Sequence, residues 1–158
     1  MNAQVRPLLI ISRDLLLQAR NGVHSEPLFR LLAGLGRRGY RIILTASEPE
    51  RWLPTRGTVD QALVDQQELT RGVRSAGGDL DGVYYVPRSL LTQDRNRTGA
   101  LEDILARYGV KAGAAILISS STPFLRAAER LGIAIREIAL AGKPGDSVLG
   151  ALETLAAD

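Results

Sequence analysis

Three apolar runs in this chain end in polar residues able to bind or react. Leu8-Leu9-Ile10-Ile11 runs into Ser12-Arg13-Asp14, Ile42-Ile43-Leu44 into Thr45-Ala46-Ser47, and Ala114-Ala115-Ile116-Leu117-Ile118 into Ser119-Ser120-Ser121. A polar segment between them carries Arg88, Arg95 and Arg97. Hydroxyls, backbone amides and guanidinium groups brought together would suit an anion such as phosphate. Taken singly, Ser and Thr in such places also cap helices and turns. Other chemistries are closed off by composition. There is no cysteine, which excludes disulfides, thiolate metal sites and a cysteine nucleophile. His24 is the only histidine and no G-x-S-x-G elbow occurs, so a Ser-His-Asp hydrolase has little to build on. No Walker or G-x-G-x-x-G turn follows any of the apolar runs.

The elements that would position these residues alternate along the chain. Pro7 opens a strand over Leu8 to Ser12, and Asn21-Gly22 reads as a tight turn, the tip of a small hairpin. Ser25 and Pro27 start a helix with Leu28, Leu31, Leu32 and Leu35 on one face, which Gly39 ends. Arg41 to Thr45 is a second strand, and the Glu48 to Gly57 segment, with Trp52 and two prolines, reads as a loop. Thr58 opens a capping box, Gly77-Gly78 breaks that helix, and Gly82 to Val86 is a third strand. Pro87 to Asn96 reads as a loop, with Thr98 capping the next helix. Ala114 to Ile118 is a fourth strand, Thr122-Pro123 starts a helix that ends at Gly132, and Ile133 begins a fifth strand. Ser147 to Ala156 is the last helix. Strands joined by helical crossovers predict a three-layer α/β/α, Rossmann-like fold with a mostly parallel five-stranded sheet. Ligands then bind beyond the carboxyl ends of the strands, where the polar stretches fall.

Composition sets outer bounds. The 158 residues, 45% hydrophobic and 23% charged, supply one domain's core. No apolar run reaches the roughly 20 residues that cross a bilayer, and no signal-peptide pattern is present. The expectation is a cytoplasmic protein without a membrane partner. The net charge of +3 is spread over scattered arginines, and aromatics make up only 4%, so nucleic acid is not expected as a partner.

Order and spacing of these segments resemble the haloacid-dehalogenase (HAD) phosphatase superfamily, within it the heptose bisphosphate phosphatase and histidinol phosphatase branch. "LLIISRDLLL" stands where the family has a strand ending in D-x-D-G, and "GYRIILTAS" where it has a strand ending in Thr or Ser. "LDGVYYVPRS" is similar to its D-G-x-Y-Y-C-P-H segment, and "RNRTGALEDILARYGV" stands at its R-K-P-x-x-G-M-L segment. "AAILISSSTPFLRAAERLG" occupies the place of V-G-D-S-x-x-D and the helix after it. The likeness runs from about Pro7 to Ile138 and implies a single HAD-like domain over 1–158, with no separate cap domain.

The resemblance also implies a damaged reaction centre. The family's attacking Asp maps to Ser12, while its acid/base Asp survives as Asp14. A serine hydroxyl is un-ionised near neutrality and a poor replacement without an adjacent base. The acidic magnesium ligands after the fourth strand map to Ser120 and Phe124, so no Mg²⁺ cage is expected. The family lysine is replaced by Arg95, with Arg97 as the alternative. Val86 and Arg88 stand where part of the branch has zinc-loop residues, so zinc is not expected either. Phosphate-binding candidates are Ser12, Thr45, Ala46, Arg95, Arg97 and Ser120. Leu15-Leu16-Leu17 replaces a small Gly; it either packs in the core or forms an exposed apolar patch for a protein partner or a second copy.

Two functions follow. One is a HAD-like protein without catalytic activity, binding a phosphorylated small molecule or acting as a regulatory or partner-binding module. The other is a weak or altered phosphatase, a phosphoric monoester hydrolase acting on small phosphorylated metabolites such as sugar phosphates.

Overall fold

A computed structural model describes residues 7–20, 25–47, 58–86, 94–139 and 144–157. Five strands, β1 (Leu8–Ser12), β2 (Arg41–Ser47), β3 (Gly82–Val86), β4 (Ala115–Ser119) and β5 (Ala134–Glu137), form one sheet in the order β3-β2-β1-β4-β5. All the pairings are parallel. The central strand β1 is apolar throughout Leu8 to Ile11, as a strand covered on both faces must be.

Alternation along the strands divides the core in two. Leu9, Ile11, Ile42 and Leu44 face the helices α1 (Arg13–Arg20), α2 (Ser25–Arg37), α3 (Thr58–Ser75) and α6 (Pro144–Ala157). Leu8, Ile10, Ile43 and Leu117 face α4 (Asp94–Tyr108) and α5 (Thr122–Leu131). The expected three-layer α/β/α arrangement is therefore present. Among the described residues, no helix is long and apolar enough to cross a membrane.

Two segments differ from expectation. No helix was expected after β1, yet α1 follows it directly; Asn21-Gly22 lies outside the described residues. Leu15, Leu16 and Ala19 share one helical face, and their burial against the α2 and α6 side of the core stabilises this short helix. The same packing decides the two readings of Leu15 to Leu17 in favour of the core. Leu15 is 2% exposed, Leu16 is fully buried, and Leu17 packs against the same core. The second difference is that α4 begins at Asp94, not at Thr98. No proline or glycine interrupts Asp94 to Thr98, so the helix extends back through Arg95 and Arg97.

Candidate functional site

The order β3-β2-β1-β4-β5 reverses direction of growth between β1 and β4, and a crevice opens at the carboxyl end of a sheet at such a point. In register, Ser12 pairs with Thr45, and Ile11 with Ile118, so Ser119 follows on the other side of Ser12. Counting by twos from Ile10, Ile43 and Leu117 puts Ser12, Thr45 and Ser119 on the α4/α5 face of the sheet. Together with Asp14, Ala46, Val86, Ser121 and Phe124 they line a cleft of about 160 Å³. That is close to the roughly 150 Å³ that admits a benzene-sized guest elsewhere. The cleft suits a small molecule or the end of a larger one.

The wall on the β4 side is built by a helix cap. Ser121 is the N-cap of α5, and its Oγ accepts from the Phe124 amide at 3.4 Å. The Ser121 amide in turn donates to Ser119 Oγ at 3.1 Å. Pro123 in the first turn has no amide hydrogen, and the Leu125 amide closes on the Ser121 carbonyl at 3.0 Å. Most donors of this helix start are thus satisfied within the chain.

Asp14 supplies the only ionisable side chain among the described lining residues. Its side chain is 69% exposed, and its Oδ1 lies 3.6 Å from Arg13 Nε. Arg13 itself turns away from solvent: its side chain is 12% exposed and its Nη1 donates to Gln66 Oε1 on α3 at 3.1 Å. Tyr85 Oη donates to the same amide oxygen at 3.4 Å. Arg13 Nε is buried without a hydrogen-bond partner, which leaves Asp14 as the nearest opposite charge that the structure pairs with it.

Several expected site residues meet here and others do not. Ser12, Asp14, Thr45, Ala46 and Phe124 converge on the cleft, with Phe124 as an apolar wall. Ser120 is not among the lining residues; alternation carries Ser119 to this face, and the helix cap brings Ser121. Arg97 lies in the first turn of α4 and does not line the cleft, while the side chain of Arg95 and all of Arg88 lie outside the described residues. Ser119 and Ser121, named in the sequence only as part of the polar end after Ile118, take the place in the cleft expected of Ser120. The period-two pattern of β4 pointed to Ser119, and Ser-Thr-Pro is a cap signature for Ser121. Nothing local pointed to the Arg13 bond with Gln66.

The donor set does not suit magnesium. Mg²⁺ takes hard, preferably anionic oxygens in near-octahedral array, and the described residues of this cleft offer one carboxylate among neutral hydroxyls. Among the described residues, no group of three or more His, Cys, Asp or Glu could hold a metal ion.

No protein-family model matches the sequence, and no curated protein matches it. Solved structures do match. The D,D-heptose 1,7-bisphosphate phosphatase of Burkholderia thailandensis is 17% identical with a TM-score of 0.58, the match covering 91% of this chain and 84% of that one. The D,D-heptose 1,7-bisphosphate phosphatase of B. bronchiseptica, solved with magnesium and phosphate, is 16% identical with a TM-score of 0.59, covering 91% and 86%. A candidate HAD-like phosphatase of Mesorhizobium loti is 16% identical with a TM-score of 0.57, covering 98% and 91%. The fold is that of the HAD-like phosphatases. At these identities the likeness concerns the fold alone and leaves the chemistry to this chain's own residues.

Proposed function

We propose that this chain keeps a HAD-like phosphatase fold without phosphoryl transfer, and serves as a small-molecule-binding or regulatory module that needs no Mg²⁺. The observation that carries this reading is that Asp14, already facing the Arg13 guanidinium, is the one carboxylate among the described residues that line the cleft. Phosphoryl transfer is driven largely by electrostatic offset of the charge on phosphate and nucleophile. Neutral hydroxyls from Ser12, Thr45, Ser119 and Ser121 supply little of that offset. Ser12, at the position of the family's attacking carboxylate, would also need a base to ionise it.

A second reading is favoured by one observation: Asp14 shares the cleft with Ser12 and Thr45, where it could act as an acid or base on a bound phosphate ester. The deciding experiment measures phosphate release from a panel of sugar phosphates, with and without Mg²⁺, beside an Asp14→Asn control. The expected result is no metal-dependent release. Metal-dependent turnover that the substitution abolishes would overturn the first reading and establish the second.

A further inference from the structure

The hydrogen-bonding state of each cleft hydroxyl points to a ligand class. A serine hydroxyl has one proton to give and two lone pairs to receive with. Ser119 Oγ already accepts the Ser121 amide, and Ser121 Oγ already accepts the Phe124 amide. Each therefore meets a ligand mainly as an O–H donor. Ser12 and Thr45 add further hydroxyls from the neighbouring strand ends. Asp14 is the opposite kind of group, an acceptor that cannot donate while ionised. Ala46, Val86 and Phe124 complete the wall with apolar surface.

A phosphate dianion matches only half of this. It takes the O–H donors, but it meets the Asp14 carboxylate as a like charge and finds the Phe124 amide of α5 already held by Ser121 Oγ. A compound with several hydroxyls on a short carbon chain or ring matches all of it. Its oxygens accept from the serines and threonine, its protons go to the carboxylate, and its C–H face lies on the apolar wall.

We infer that the cleft between Ser12, Thr45, Ser119 and Asp14 binds a small uncharged polyhydroxyl compound in preference to a phosphate. The inference rests on the non-catalytic reading above and adds the ligand's chemistry to it. Asp14 is the discriminating residue, because replacing it by Asn acts with opposite sign on the two ligands. Asn keeps the shape and one acceptor but loses the charge, so a polyol loses its charge-assisted bond while a phosphate loses a repulsion.

The test is an amide NMR titration of the full chain with glycerol, erythritol, D-ribose and myo-inositol, and separately with inorganic phosphate. The expected result is saturable shifts at Ser12, Thr45, Ser119 and Ser121 with at least one polyol, and weaker or no saturation with phosphate. Asp14→Asn should weaken the polyol about tenfold, as for loss of one hydrogen bond to a charged group, and strengthen phosphate. Thr45→Val, nearly the same size, removes one hydroxyl donor from the cleft and should weaken the polyol as well. Phosphate saturating these amides more tightly than every polyol overturns the inference while leaving the non-catalytic reading intact. No saturation by either class overturns it too. Metal-dependent phosphate release would instead remove the reading on which it rests, so the two failures are told apart.

Discussion

Arg13 and Gln66, 53 residues apart, are joined by a 3.1 Å hydrogen bond from Arg13 Nη1 to Gln66 Oε1 that ties the residue beside the cleft to the middle of α3. The guanidinium is almost out of solvent, so the bond is made where an unpaired donor is costly. The first prediction is an asymmetry. Gln66→Met alone should cost about 1–3 kcal/mol, because it leaves a buried donor on a charged group without its acceptor. The double variant Arg13→Met/Gln66→Met should cost less than the two single costs summed. Urea unfolding of the four proteins in this cycle measures the coupling; additive costs would show the bond to be immaterial.

The Leu15-Leu16-Leu17 triplet gives a second prediction. Leu16 is fully buried in the core shared with α2 and α6. Leu16→Ala should destabilise the fold by about 2–5 kcal/mol, the range for truncating a buried leucine. A residue on an exposed docking patch would change stability by only about 0.5 kcal/mol. Thermal and urea unfolding separate these outcomes directly.

Much of the architecture is legible without coordinates because a parallel sheet covered on both sides leaves uninterrupted apolar strands, such as Leu8 to Ile11 and Ile42 to Leu44. The helix α5 is equally plain, since Ser121, Pro123 and Gly132 punctuate it; Gly132 sits at φ 89°, where a side chain would be strained. What sequence pattern did not expose was α1. Three consecutive leucines show neither a strand nor a helix period, and only packing against α6 decides between them. The cleft was half legible. Matching against the family pattern selected Ser120, whereas strand alternation selects Ser119. Arg13 was hidden for a different reason: its partners Gln66 and Asp14 are one distant and one adjacent, and only the fold brings Gln66 near.

Between β3 and α4, Tyr84 supplies a pH-dependent prediction. Its hydroxyl donates to Asp103 Oδ2 at 2.7 Å. Burial first, and then the Asp103 bond and charge, push its ionisation from 10.0 up to about 12. In the unfolded chain the phenol loses its proton near the ordinary value, so between the two values the folded state holds the extra proton. Stability from this group is therefore complete below pH 10 and falls as pH rises towards about 12. Solvent reaches this half-buried ring, which holds the effect to the order of 1 kcal/mol. Ultraviolet titration of phenolate, compared with Tyr84→Phe, should show the latest-titrating phenol missing from the variant, and a shallower loss of stability over that window.

Gly82 at the start of β3 tests a close approach. A Cβ placed there would come within 2.6 Å of Tyr108 Oη. The ring of Tyr108 is confined by Arg41, whose guanidinium carbon lies 5.5 Å from its centroid and whose Nη2 donates to the Tyr108 carbonyl. Gly82→Ala should therefore cost about 1–3 kcal/mol as overpacking. The clash is with the hydroxyl alone, since the ring carbon bearing it stays 3.9 Å away. Adding Tyr108→Phe should recover much of the loss, and equal stability of the single and double variants would contradict this account.

Ser121 joins helix stability to the chemistry of the cleft. Its Oγ holds the Phe124 amide, and the residue itself lines the cavity. Ser121→Ala removes the cap and should cost about 1 kcal/mol, while Ser121→Gly should cost only a few tenths. Both changes free the Phe124 amide at the positive end of the α5 dipole, which is the arrangement that attracts anions. Each variant should therefore bind inorganic phosphate more tightly than the natural chain even as it loses stability. Calorimetric titration beside unfolding curves reads both effects. Unchanged phosphate affinity in both variants would mean that the capped amide is not what keeps anions out, and that the Asp14 charge does so by itself.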